Sequence, residues 1–205
     1  MLSGSKKAEV QTLVKPLATI RIKHLLKEMK NLPLSEFPTI ITERLVIRQP
    51  TLSDIQEIFL LRSNSAVNKY LNRKPDDTPE ETLNFLKKVN ENFESKIGIY
   101  WSIMQKLDDK VLGTICLFDF SDQHKKCEIG YELLPNYQRN GIMTEALRAV
   151  TKFVFETLNY DTIEAFTHKK NRRSIDLLLK LNFKETDGIE LNNANIKMYH
   201  LYRHL

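Results

Sequence analysis

The stretch Gln138-Arg139-Asn140-Gly141-Ile142-Met143 is basic, contains one glycine and opens directly onto a helical pattern. Its residue types suit one kind of chemistry, the holding of an anion. N–H groups in the first turn of a helix lack intrahelical partners, and the helix dipole places roughly half a positive charge there. A glycine lets the backbone approach an anion closely or take a positive φ. Together these make a candidate phosphate cradle. Taken alone, the loop reads equally well as an ordinary strand-to-helix connection with a tolerated glycine.

The flanking residues supply the elements that must position it. Cys127, Ile129, Tyr131 and Leu133 alternate with Glu128, Gly130, Glu132 and Leu134, the period of a strand. Pro135 has no amide donor and ends regular pairing. From Met143 onward Ala146, Leu147, Val150, Phe153, Val154 and Leu158 form one face of an amphipathic helix, with Glu145, Arg148, Lys152 and Glu156 opposite.

Upstream, Ile40–Gln49 reads as a single strand with Leu45 and Ile47 facing inward. Ser53 with Gln56 forms a candidate capping box for the helix that follows, carrying Ile55, Ile58, Phe59 and Arg62. Residues 68–77 read as a loop. Thr78-Pro79-Glu80-Glu81 starts a second helix with Leu83, Leu86, Val89, Asn90 and Phe93. Strands at Ile99–Gln105 and Val111–Phe120 flank a five-residue hairpin loop, 106–110. Downstream, Asp161–Thr167 is a strand and Asn171 caps a short helix with Ile175, Leu178, Leu179 and Leu181. Phe183–Glu185, a turn at Asp187-Gly188, and Ile196–Tyr202 close the chain. The order predicts an α+β fold: a mixed, mostly antiparallel sheet with helices on both faces. The strand–helix–strand unit around 127–167 would be parallel and right-handed, with ligands beyond its carboxyl ends.

Composition narrows the class. The 205 residues are 41% hydrophobic and 28% charged, enough for one sizeable core. No run approaches the roughly 20 apolar residues of a spanning helix, and the N-terminus has no apolar signal region. A cytoplasmic protein without membrane contact is expected. Net charge +5 suits an anionic small molecule. The lysines are not clustered with aromatics, so nucleic acid is not expected as a partner. Cys116 and Cys127 lie inside strands and read as buried, reduced thiols. The five histidines are scattered along the chain, so no metal is expected. Residues 1–36 carry seven Lys/Arg against three acids. Ala18, Ile22, Leu25 and Met29 suggest a basic amphipathic helix there. It would pack on the 37–205 domain or on another subunit, making a homodimer one expectation.

Four stretches, ITERLVIRQPTLSDIQEIFLL (41–61), VLGTICLFDF (111–120), EIGYELLPNYQRNGIMTEAL (128–147) and IEAFTHKKNRRSIDLLLKLNFKE (163–185), resemble the GNAT acetyltransferase superfamily. The branch resembled is that of ribosomal-protein alanine/serine N-terminal acetyltransferases. The resemblance spans about 37–205. It implies acetyl-CoA as donor, with the pantetheine arm along Leu133 and Leu134. It places the pyrophosphate on Gln138, Arg139, Asn140, Gly141, Ile142 and Met143. Met143 replaces the family's usual small residue and fits if its side chain points into the core. Asn171 is implied to touch the CoA arm, and a plain helix cap satisfies the sequence as well. Arg172 and Arg173 could approach phosphates or stand solvated.

Acetyl transfer requires a deprotonated amine, a donor for the oxyanion, and help for the leaving thiolate. Glu128 and Glu164 are candidate bases, the alternative being surface strand carboxylates. The family's usual tyrosine acid falls at Leu178. Ser174, three residues after Asn171, could hydrogen-bond the sulfur or serve the helix's first turn. No Cys–His or Ser–His pairing suggests an acyl-enzyme, so direct transfer is expected. The acceptor is a protein N-terminus by the resemblance, or a small amine such as an antibiotic, polyamine or amino acid. Its selectivity would reside in 62–80 and 186–197. A non-catalytic CoA-binding module is the reading from another class.

Overall fold

In the computed structural model, residues 32–186 and 193–203 are described. The proposed helix at 17–30 and the turn at Asp187-Gly188 lie outside them. Eight strands form one sheet: β1 (Ile40–Ile41), β2 (Leu45–Arg48), β3 (Gly98–Gln105), β4 (Asp108–Ser121), β5 (Lys126–Leu133), β6 (Thr162–His168), β7 (Lys184–Thr186) and β8 (Ile196–Tyr202). The helices are α1 (Ile55–Ser63), α2 (Ser65–Asn68), α3 (Pro79–Glu94), α4 (Ile142–Glu156) and α5 (Arg172–Lys180). The strand order is β1-β2-β3-β4-β5-β6-β8-β7. Every pairing is antiparallel except β5 with β6.

Side-chain alternation gives the sheet two faces. On one, Trp101, Ile103, Ile115, Leu117, Ile129, Ile163, Tyr199 and Leu201 meet Ala146, Leu147, Val150 and Val154 of α4 and Ile175 and Leu178 of α5. Leu32 also belongs to this core, and Leu34 packs against it, so the packed body begins upstream of residue 37. On the other face Met104, Val111 and Tyr100 meet Ile58 of α1 and Phe85, Leu86 and Val89 of α3. Helices therefore cover both faces, as the element order predicts.

Four local expectations are corrected. Ile40–Gln49 is a hairpin: β1 pairs with β2 at Ile40↔Ile47 and Ile41↔Val46. The Thr42 hydroxyl accepts from the Leu45 amide at 2.9 Å, and the Thr42 amide donates to the Leu45 carbonyl at 3.0 Å. That pair of bonds folds the chain back at Thr42–Leu45. A 3-10 turn, Leu52–Asp54, leads into α1, and its cap is Thr51, whose amide donates to Asp54 at 2.8 Å in a capping box, in place of Ser53 with Gln56. The β3–β4 loop is two residues, 106–107, because Gln105 pairs with Asp108 and bulges around Met104 absorb the offset. On α3 the buried face includes Thr82 and Phe85 rather than Leu83 and Asn90.

Candidate active site

β5 and β6 pair at only three rungs, Lys126↔Thr162, Cys127↔Ile163 and Glu128↔Glu164. Beyond them β5 continues to Leu133 and β6 to His168 without contact in the ladder. Two parallel strands that part in this way leave a wedge-shaped opening. Its β5 wall stays bound to β4: Gly113 pairs with Leu133, and the Leu134 amide donates to the Leu112 carbonyl at 2.9 Å. A Cβ on Gly113 would lie 2.3 Å from the Glu132 carbonyl oxygen, so only glycine permits this approach.

Successive residues of a strand turn their backbone groups to opposite edges. Because the Leu134 amide faces β4, the N–H and C=O of Tyr131 and Leu133 face the opening. The Leu133 carbonyl accepts the Gln138 side-chain amide at 2.9 Å. Leu134 is turned the other way, its carbonyl taking the Tyr137 amide at 3.0 Å. Of the two residues expected along a pantetheine arm, only Leu133 presents backbone groups to the wedge.

At the rim, Pro135–Tyr137 makes a single 3-10 turn, and Arg139 (φ 67°) and Gly141 (φ 75°) both adopt left-handed backbone. The Glu145 amide donates to the Gly141 carbonyl at 3.0 Å, the first bond of the α4 ladder. The amides of Ile142, Met143 and Thr144 therefore precede the ladder at the positive end of the dipole. Ile142 and Met143 bury their side chains in the core, at 2% and 6% exposure, as the sequence requires of Met143.

Residues outside the expected set hold this loop. The Arg44 Nε donates to Glu145 Oε2 at 2.6 Å and its Nη1 to the Asn140 carbonyl at 3.1 Å. Glu145 Oε1 accepts from the Thr42 hydroxyl at 2.6 Å and the Arg44 amide at 2.9 Å. Partial burial pushes the Glu145 carboxyl up, but the Thr42 and Arg44 hydrogen bonds and the Arg44 charge outweigh it and hold it below the ordinary range. The sequence signal was faint: Arg44 lies in the first resembling stretch, and Glu145 reads as an exposed helix acid. Glu145→Ala should raise the KM for acetyl-CoA about tenfold, a loss of ~1.4 kcal/mol in loop positioning, with kcat little changed. Steady-state kinetics at varied acetyl-CoA checks this, and an unchanged KM would remove the clamp from the site.

Glu128 and Glu164 form the last rung before the strands part, and so share one face. Both are buried, at 5% and 8% exposure. Glu164 Oε1 accepts from Lys126 Nζ at 2.8 Å and lies 3.1 Å from His200 Nε2. On this same face the segment between α2 and α3 crosses the opening. Tyr70 stacks on His168 of the β6 wall at 5.4 Å, and Arg73 makes bonds of 2.5 and 2.8 Å to Glu132 of the β5 wall.

On the opposite face α5 provides two links to the β5 side. Asn171 caps α5 by accepting the Ser174 amide at 3.3 Å. The Ser174 and Tyr131 hydroxyl oxygens lie 2.8 Å apart. Arg172 and Arg173 are both exposed, and Arg173 donates to Gln138 Oε1 at 2.6 Å. Leu178, where the family's tyrosine would stand, is wholly buried in the core.

An open sheet with one parted parallel pair, and a helix N-terminus at its rim, defines the class. The acetyltransferase (GNAT) domain matches residues 44–184, and the chain belongs to this family of acetyltransferases. It is 32% identical over 149 residues to the uncharacterized N-acetyltransferase YoaA of Bacillus subtilis, covering 73% of this chain and 84% of that protein. It is 29% identical over 130 residues to the acetyltransferase PseH of Campylobacter jejuni, covering 63% and 76%. Its fold is shared with the ribosomal alpha-N-protein acetyltransferase RimL, solved in complex with coenzyme A. That match has a TM-score of 0.72 and 16% identity, and covers 80% of this chain and 98% of that one. Among the described residues no helix is long and apolar enough to cross a membrane.

Proposed function

We propose that this chain moves an acetyl group from acetyl-CoA directly onto a primary amine, and that the acceptor is the N-terminal amine of a protein. The parted β5–β6 pair, with a helix N-terminus at the rim and a buried glutamate at the apex, carries this reading. The wedge-facing groups of Leu133 fit the amides of a pantetheine arm. The loop Gln138-Arg139-Asn140-Gly141 and the first-turn amides of Ile142 and Met143 fit a pyrophosphate, and Asn171 stands at the facing helix start. Bound there, acetyl-CoA supplies an activated thioester.

The chain's own residues do the remaining work. Glu128, on the strand that leads into the loop, takes the proton of the attacking amine, directly or through one water. Glu164, paired with Lys126, braces β6 at the apex. Ser174 donates a hydrogen bond to the departing sulfur. Direct transfer is favoured because neither cysteine is a competent nucleophile. Burial pushes the Cys116 thiol up to about 12 and the Cys127 thiol higher still, so neither forms much thiolate near neutrality.

The fold shared with RimL supports a protein N-terminus as acceptor, and the segment carrying Tyr70 and Arg73 would form one wall of its entry on the Glu128 face. The test is a panel of ribosomal N-terminal peptides and small amines incubated with acetyl-CoA and read by mass spectrometry. Acetylation of a peptide α-amine is expected. Products confined to polyamines, amino acids or aminoglycosides would replace the protein acceptor with a small one.

A further inference from the structure

Thioester cleavage leaves a thiolate, and the position of the family's tyrosine is filled by a buried leucine, Leu178. The opening nevertheless contains a phenol from another element. Tyr131 lies on the part of β5 that has no β6 partner, and its hydroxyl oxygen is 2.8 Å from Ser174 Oγ on α5. The contact joins residues 43 apart in sequence and spans the two sides of the wedge. A serine hydroxyl has one proton to give and two lone pairs. If Ser174 donated to Tyr131, it would keep no proton for another acceptor. If Tyr131 donates, the Ser174 proton is left to point into the opening. A phenol is the more acidic hydroxyl, so donation from Tyr131 is the favoured polarity, and hydrogen bonds in a chain polarise one another. Ser174 is fixed in turn by its amide's bond to Asn171 Oδ1.

We infer that Tyr131 is a positioning residue for thioester cleavage: it donates to Ser174 and so aims the Ser174 proton at the departing sulfur of acetyl-CoA. This rests on the reading of acetyl-CoA as donor. In the step, the amine nitrogen bonds the carbonyl carbon and the C–S bond breaks with its electron pair on sulfur. The amine proton goes to Glu128 and on to water. The thiolate is held by the Ser174 hydroxyl and takes a proton from water as it leaves. Burial raises the Tyr131 phenol above its ordinary value, opposed by the Ser174 contact, which keeps it a donor throughout the working pH range.

CoA itself, with the full chain, tests this without knowledge of the acceptor. The thiol of bound CoA is titrated through the ultraviolet absorbance of its thiolate, and CoA affinity is measured by calorimetry. In the unaltered protein the thiol should titrate about one pH unit below that of free CoA, a tenfold stabilisation of thiolate. Tyr131→Phe keeps the ring and Ser174→Ala the helix. Each should return the thiol toward its free value while CoA affinity stays within about threefold, and the double variant should go no further than Ser174→Ala alone. A shift lost in Ser174→Ala but intact in Tyr131→Phe overturns the role of Tyr131. Tight CoA binding with no shift in the unaltered protein overturns the hydroxyl pair but leaves the donor reading standing. Failure of the unaltered protein to bind CoA overturns both.

Discussion

Glu128→Gln should lower kcat by about 10²- to 10⁴-fold, the range for losing a positioned general base, with acetyl-CoA affinity unchanged. The substitution is nearly isosteric, and the amide cannot take a proton. Glu128 occupies the last rung before β5 and β6 part, on the face crossed by the Tyr70–Arg73 segment. In the proposed reaction an amine would enter beneath that segment and meet this carboxylate before the thioester. The loop that would hold the donor lies at the far end of β5, so binding and chemistry separate in the measurement. Calorimetry with CoA reports the first, and steady-state kinetics with the acceptor from the amine panel reports the second. Glu164→Gln is the control: it removes the partner of Lys126 and should cost less in kcat. A collapse in Glu164→Gln with near-normal turnover in Glu128→Gln would exchange the two roles.

The second large effect is on stability. Asp76→Ala should destabilise the fold by about 3–5 kcal/mol, the usual result of stripping one partner from a buried ion pair. Arg62 Nε and Nη2 donate to the Asp76 carboxylate at 2.6 and 2.8 Å, and the Thr82 hydroxyl adds a bond of 2.7 Å. Both residues are buried, and the guanidinium lies 3.7 Å from the Phe85 ring centroid. Its remaining nitrogen, Nη1, already has no hydrogen-bond partner, so loss of the carboxylate strands a desolvated charge between α1 and α3. The same pair predicts a pH dependence. Burial pushes the Asp76 carboxyl up, but the bonds from Arg62 and Thr82 and the charges of Arg62 and Arg73 bring it below its ordinary value. A carboxylate depressed in the folded state stabilises above its unfolded pKa and loses that contribution as pH falls through the folded value. Urea midpoints for the unaltered protein should therefore drop as pH is lowered below about 4. Asp76→Ala should be flatter over that range, and equal slopes would show that the pair does not govern acid stability.

Much of the scaffold was legible because it is locally encoded. The alternation of 127–134 gave β5, the helical spacing from Met143 gave α4, and Thr78 with Pro79 and Asn171 marked the starts of α3 and α5. The errors arose where local pattern is silent about pairing. Ile40–Gln49 keeps a strand-like alternation through a reversal made by one threonine side chain. The charged residues 108–110 look like loop but belong to β4: Asp108 pairs with Gln105, and Asp109 and Lys110 fill the bulge before Val111 pairs with Met104.

The sequence alone determined the family, the α+β class and the rim loop, because those depend on residue types and spacings within single segments. It also named both glutamates without saying that they would face each other on one rung. Only the tertiary structure decided that β5 and β6 part after that rung, which turns two strands into an opening. It alone joined Glu145 to Arg44 across 101 positions, Arg73 to Glu132 across 59, and Tyr131 to Ser174 across 43. Periodicity tells each strand which face to bury. The partner a strand leaves, and the side chains that meet across the gap, follow from how the helices pack on the whole sheet.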